Sequence, residues 1–198
     1  MKLATIVGAI PRPLLFTVAA LIQAGLIAAM VYDRVRVLRA GTEVTLQTRP
    51  VDPRDFLRGD YVVLNYDISS LPAGTLQGQP AEGRRPYEYV KLAPRSDGVH
   101  EAQSVHAERV PTSGREVLIR GRVSWGTHCG QSRREFCDRL QLIYGIERYF
   151  VPEGEGRGIE SARNQGKVQI VATVTSSGRA AIKRLLLDGK PVYDEPLY

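Results

Sequence analysis

Carboxylates and arginines are interleaved over a short part of the sequence. The acidic members are Asp52, Asp55, Asp60 and Asp67, and the basic members are Arg49, Arg54 and Arg58. Paired carboxylates can act as general acid and base when burial raises the pKa of one of them. Neighbouring arginines keep carboxylates ionised, which favours turn-stabilising hydrogen bonds and ion pairs over catalysis. A hydrolase that uses the Asp52–Asp67 carboxylates stays the alternative.

The string GDYVVLNY, residues 59–66, lies in the strongest predicted strand, Asp60–Ile68. Alternate residues of a strand share a face. One face then carries Asp60, Val62, Leu64 and Tyr66, and the other carries Tyr61, Val63, Asn65 and Asp67. The first face is largely apolar, so we expect the Tyr66 ring in the core and its hydroxyl at a hydrogen-bond partner.

This string is also the point at which the sequence resembles a known group, the bacterial GDYXXLXY protein family. The resemblance extends to residues 51–55, 144–154 and 186–193. It implies one N-terminal membrane helix, an extracytoplasmic domain and a functional association with multi-spanning membrane proteins. It implies no activity.

The stretch Val51–Val62 also resembles the active-site strand of signal peptidases. Aligning the Gly-Asp pair on Gly59 and Asp60 puts Val51 where a nucleophilic serine would stand. Valine has no nucleophile, and Lys91 has no hydroxyl to activate. No catalytic residue is therefore expected. The predicted partner-binding surface consists of Asp52, Arg54, Asp55, Arg58, Asp60, Tyr61 and Tyr66.

Cys129 and Cys137 are the two cysteines of the chain. In an exported domain such a pair predicts a disulfide, and free thiols or a metal or redox site are the alternatives. A zinc site with His128 would lack a fourth ligand, so neither metal nor cofactor is expected. His100 and His106 lie in a polar stretch, and we expect both to be solvated.

The glycines of the stretch 151–158 are spaced like those of some phosphate-binding loops. Glu153 and Glu155 would repel an anion, so a flexible or bulged connection is expected there.

The segment Leu14–Tyr32 carries no charge over nineteen residues. As a helix it would rise about 28 Å, close to the hydrocarbon thickness of a bilayer. A cleaved signal peptide would normally have a shorter apolar core and a small-residue cleavage site, which the following residues do not offer. We expect Asp33–Ala40 to continue the helix until Gly41 stops it. The predicted organisation is a tail, membrane helix and juxtamembrane segment over 1–40 and a β-rich domain over 41–198.

The side of the membrane that the domain occupies is indicated by two opposed signals. Arg34, Arg36 and Arg39 follow the helix and favour the cytoplasm for the domain. The cysteine pair and the family resemblance favour export. We expect a signal-anchored, single-pass protein of the bacterial inner membrane with its C-terminal domain in the periplasm.

Several short alternating segments follow the helix and predict strands. They are Thr42–Thr48, Asp60–Ile68, Tyr87–Leu92, Val117–Val123, Leu140–Phe150, Val168–Thr175 and Ala180–Leu187. Val168–Thr175 and Ala180–Leu187 are predicted to pair as a β-hairpin around the turn at residues 176–179. Leu71–Arg85 is predicted as a loop and Ile159–Ala162 as a short helical turn. The predicted fold is mainly β, an antiparallel sandwich or barrel-like domain behind one membrane helix.

The formal net charge is +6, and the basic residues are dispersed. No basic run with interleaved aromatic residues indicates a nucleic-acid surface. The favoured function is a non-enzymatic accessory protein of the cell envelope that works with a multi-spanning membrane protein, because no catalytic motif is found and the family resemblance implies such a partner. Gln23 and nearby small residues suit helix packing in a bilayer. A glycan- or lipid-binding module is a further alternative to the hydrolase.

Overall fold

The computed structural model describes residues 11–50, 61–72, 75–77, 87–124, 139–151 and 154–196. Within these ranges the chain forms two α-helices, α1 (Arg12–Ala40) and α2 (Gly156–Asn164). The strands are β1 (Thr42–Arg49), β2 (Tyr61–Val63), β3 (Asn65–Tyr66), β4 (Ser70–Pro72), β5 (Leu76–Gln77), β6 (Tyr87–Pro94), β7 (His100–His106), β8 (Val117–Val123), β9 (Arg139–Ile143), β10 (Arg148–Phe150), β11 (Val168–Val174), β12 (Ala180–Leu187) and β13 (Lys190–Asp194). One 3-10 turn, Asp67–Ser69, joins β3 to β4.

Helix α1 is long and apolar enough to cross a membrane. Its 29 residues rise about 44 Å, and the helix continues through Asp33–Ala40 and ends before Gly41, as predicted. Its large apolar side chains are exposed, as they are on a helix that faces lipid; they include Leu14, Phe16, Leu21, Ile22, Leu26, Ile27 and Met30. The chain divides into one unit that ends at Arg36 and a β-rich unit, Val37–Pro196.

Seven strands of the β-rich unit form a nearly closed barrel, in which β3 and β4 follow each other along the chain and together occupy one place in the strand order. Strand β1 pairs with β3, whose chain passes through the 3-10 turn into β4. From β4 the hydrogen-bonded order is β9, β8, β6 and β7. The start of β7 returns to β1 through a parallel bridge between Thr45 and Val99. The barrel-like prediction is therefore confirmed.

Strands β11, β12 and β13 extend from β1 as an antiparallel sheet. The predicted hairpin between β11 and β12 is confirmed, with Gly178 at a φ of 84° in its turn. The Gly178 carbonyl accepts a hydrogen bond of 2.8 Å from the Arg120 amide of β8. Asp188 and Gly189, with φ values of 48° and 75°, form the tight turn that leads to β13.

The core is built from inward side chains at alternate positions along the strands. On β1 these are Val44 and Leu46, on β6 Val90 and Leu92, and on β11 Val168 and Ile170, and all are fully buried. Gly121 of β8 lies against the Tyr144 ring, since a Cβ there would approach ring carbon Cε1 to 2.9 Å. A glycine at this point makes room for the ring.

Several predicted elements differ from the structure. The predicted strand Asp60–Ile68 is divided into β2 and β3, and its last two residues belong to the 3-10 turn Asp67–Ser69. Leu140–Phe150 is not one strand, because Gly145 turns the chain at a φ of 83° and separates β9 from β10. The predicted loop Leu71–Arg85 contributes to the short strands β4 and β5, and the predicted turn at Ile159–Ala162 belongs to the nine-residue helix α2. Helix α2 also includes the last glycines of the stretch 151–158, where a connection was expected. Strand β7 was not predicted.

Candidate functional site

The motif GDYVVLNY is described from Tyr61 onward, and its two faces are as predicted. Val62, Leu64 and Tyr66 are buried in the core. Tyr61 and Asn65 are half-buried and point the other way. The exposed Val63 lies on that second face as well. The period of two therefore sorts the motif into a core side and a solvent side.

Two buried tyrosines form hydrogen bonds that link the motif strand and its following turn to the segment after β9. The Tyr66 hydroxyl donates to the carbonyl of Ile146. The Tyr144 hydroxyl donates to the carbonyl of Ile68 over 2.6 Å. Burial raises the pKa of both tyrosines well above the ordinary tyrosine value, and the nearby Glu147 carboxylate raises it further. Both hydroxyls therefore stay protonated and act as donors. The predicted partner for the Tyr66 hydroxyl is thus a backbone carbonyl.

Glu147 fixes the turn that presents those carbonyls. Its carboxylate accepts the backbone N–H of Tyr144 at 2.5 Å and that of Gly145 at 2.9 Å. These bonds hold the turn between β9 and β10 and place Arg148 at the start of β10. The Glu147 carbonyl then accepts the Leu64 amide at 2.8 Å and begins the pairing of β10 with β2.

Arg163 of α2 holds the opposite edge of β2. Only 2% of this side chain is exposed, and its guanidinium donates to the carbonyl of Val63. It also donates to Asn164 Oδ1 over 3.1 and 3.2 Å. Burial lowers the pKa of Arg163, and Glu160 opposes that shift. Sequence reasoning missed this residue, because an arginine near the end of a polar helix gives no signal of burial.

Strands β2 and β10 turn four side chains toward solvent: Tyr61, Val63, Arg148 and Phe150. We call this set the aromatic face. The ring centroids of Tyr61 and Phe150 are 6.0 Å apart, and the Arg148 guanidinium carbon lies 5.6 Å from the Tyr61 centroid. Phe150 is 76% exposed and Val63 is 37% exposed. A cation, two rings and an aliphatic group therefore form one surface patch.

The predicted partner-binding residues are only partly described. Asp52, Arg54, Asp55, Arg58 and Asp60 lie outside the described residues. So do Cys129 and Cys137, and with them the predicted disulfide. Tyr61 lies on the aromatic face, whereas Tyr66 is buried and supports that face from the core.

The ends of the carboxylate–arginine cluster are described. Arg49 Nε and an Asp67 carboxylate oxygen are 2.6 Å apart in a half-exposed ion pair. This is the ion-pair role that the sequence favours for the cluster. Lys91 likewise pairs with Glu116 at 3.4 Å. Within the described ranges, no three His, Cys, Asp or Glu side chains are grouped so that they could hold a metal ion.

His100 is half-buried rather than solvated, so the expectation for this residue was wrong. Its Nδ1 accepts the Thr45 backbone N–H over 3.2 Å, at the point where β7 meets β1. Burial is the main cause that lowers the pKa of His100, and Arg115 lowers it further. The neutral imidazole therefore helps to close the barrel.

An open cleft of about 310 Å³ lies beside α2. Its lining is mainly apolar and includes Ile159, Leu185, Leu187, Val192 and Tyr193. Glu155 also lines it. The described lining carries no array of polar groups that would orient a small molecule.

Comparison with known proteins places the chain in a family. The sequence profile of the GDYXXLXY protein family matches residues 23–185. No curated protein and no solved structure matches the chain. The match runs from within α1 to within β12 and includes the strands that build the aromatic face. The chain belongs to the GDYXXLXY protein family.

Proposed function

We propose that the protein is a membrane-anchored, non-enzymatic component of the bacterial cell envelope that binds a multi-spanning membrane protein. One observation carries this proposal. The strand of the family motif presents the aromatic face, in which Phe150 is 76% exposed and Arg148 stacks on Tyr61. Aromatic residues and arginine are enriched in protein interfaces and dominate their binding energy.

Hydrogen bonds from buried residues hold the backbone beneath the aromatic face, and this favours a role in binding a partner. Tyr66 ties β3 to the turn before β10, and Arg163 ties the outer edge of β2 to α2. The exposed side chains are therefore held on a backbone that has little freedom to lose when a partner docks. Such preorganisation lowers the entropic cost of association.

The membrane anchor limits where such a partner would be found. A domain tethered by α1 meets membrane proteins at high effective concentration, so a patch of four side chains is sufficient for a useful affinity. The cysteine pair supports a periplasmic domain, and the arginines after the apolar stretch oppose it.

Site-specific photo-crosslinking in native membranes tests the partner. The full chain would carry p-benzoylphenylalanine in place of Phe150, and in a control in place of Val192, which is 45% exposed on β13. We expect a multi-spanning membrane protein to be crosslinked from position 150 and not from position 192. Identical adducts from both positions, or no protein adduct from position 150, would contradict the proposal.

Labelling with a membrane-impermeant maleimide tests the location. In intact spheroplasts, we expect Cys129 and Cys137 to react after treatment with a reductant and to resist labelling before it. Reaction only after lysis would place the domain in the cytoplasm. Equal reaction with and without reductant would argue against the disulfide.

A further inference from the structure

The aromatic face is a two-by-two array with a defined spacing. Arg148 and Phe150 are alternate residues of β10 and share its outer face, about 7 Å apart along the strand. Across the ladder, Val63 lies opposite Arg148 and Tyr61 lies opposite Phe150. The array thus has a cationic position and an aromatic position in a fixed order.

The cationic position is an exposed arginine. The Arg148 guanidinium stacks on the Tyr61 ring, and an aromatic ring does not neutralise its positive charge. Glu147, its neighbour in sequence, is engaged with the amides of Tyr144 and Gly145. Among the described residues, no carboxylate lies within ion-pair distance of Arg148. A planar guanidinium in this state suits a carboxylate that accepts two parallel hydrogen bonds.

The aromatic position offers an apolar contact beside that charge. Phe150 meets Tyr61 at an interplanar angle of 57°, so Tyr61 covers only part of the Phe150 ring. Most of the ring remains exposed. An apolar side chain that covered this ring would remove apolar surface from water, which favours binding.

We infer that the aromatic face binds an extended, acidic segment of a protein partner, with a carboxylate on Arg148 and an apolar side chain two residues away on Phe150. The inference rests on the proposed function, because it names the chemistry of the partner at the same surface. Residues i and i+2 of an extended segment are about 7 Å apart on one side, which matches the spacing of the array. A lipid surface offers anionic groups without such a fixed neighbour, so a peptide segment is the better fit.

The test uses the full chain in native membranes, with p-benzoylphenylalanine at position 150 as the probe and the crosslinked peptide identified by mass spectrometry. We expect that peptide to contain Asp or Glu within two residues of the crosslinked position. Arg148→Gln should lower the crosslinking yield about tenfold, which corresponds to about 1.4 kcal/mol, because it removes a charge-assisted hydrogen bond to the partner. Arg148→Lys should retain part of the yield, because lysine keeps the positive charge but cannot donate two parallel hydrogen bonds to one carboxylate.

Arg184→Gln is the matched control. It changes the net charge equally and removes a half-exposed arginine of β12 that pairs with Asp194 of β13. A protein adduct whose yield is the same in Arg148→Gln and Arg184→Gln, or whose peptide lacks an acidic residue, would overturn the inference and leave the proposed function standing. A phospholipid adduct in place of a protein adduct would overturn both.

Discussion

Replacing Tyr66 with phenylalanine removes one hydroxyl from the core and leaves the ring in place. The hydroxyl donates to the Ile146 carbonyl, and both groups are shielded from water. A buried acceptor that loses its donor costs about 1–3 kcal/mol. We therefore expect Tyr66→Phe to lower the free energy of unfolding by about 1–3 kcal/mol. Urea unfolding of the full chain in detergent micelles, followed by circular dichroism at the β-sheet minimum, measures the change.

Tyr61→Phe is the control for this substitution within the same motif. Tyr61 is half-buried, and no hydrogen bond of its hydroxyl is seen among the described residues, so its effect should stay within about 0.5 kcal/mol. Because the Tyr66 and Tyr144 hydroxyls join the same two segments, the double variant Tyr66→Phe/Tyr144→Phe should depart from additivity by about 0.5 kcal/mol or more. An effect of Tyr66→Phe no larger than that of Tyr61→Phe would refute the crossed-tyrosine account.

Three further predictions concern the barrel and its support. The pKa of His100 is lowered in the folded state, so the unfolded chain binds the proton more tightly than the folded chain does. The stability that depends on a neutral His100 is therefore complete above the ordinary histidine pKa of about 6.5, and it is lost as the pH falls through the pKa of the folded state. His100→Asn keeps an acceptor and cannot be protonated, so its unfolding free energy should fall less between pH 7.5 and 5 than that of the wild type, and parallel curves would contradict the role. Gly121→Ala should cost about 1–3 kcal/mol by overpacking, whereas Gly158→Ala, with open space around it in α2, should add up to about 1 kcal/mol in the same unfolding assay. Arg163→Met should reduce the crosslinking yield from position 150 even at temperatures where the fold is intact by circular dichroism, because β2 loses a contact at its edge.

Local patterns sufficed to predict the parts of the fold that repeat with a period of two. The faces of the motif, the hairpin around Gly178 and the strand β1 follow from alternation and turn residues alone. Strand β7 escaped prediction because its sequence is polar, and a register shift opposite Lys91 and Leu92 breaks its alternation.

Long-range packing decided the features that sequence reasoning missed. Arg163 is buried because α2 packs against β2, a contact between residues about a hundred positions apart. The split of Leu140–Phe150 depends on Glu147 reaching back to two amides, which no propensity scale records. Exposure of Phe150 likewise follows from the pairing of β10 with β2 and not from its own neighbours in sequence.

The pairing of β1 with β11 also sets the order in which the domain is able to fold. Val44 finds its partner only at Ala172, and Thr42 finds its partner at Val174. During synthesis, the strand that follows α1 therefore has one edge unpaired until about two thirds of the chain has followed it. Contacts this distant in sequence slow folding and leave unpaired strands open to association. Because β1 is synthesised long before β11, a factor that shields β1 in the interval would raise the yield of the native protein.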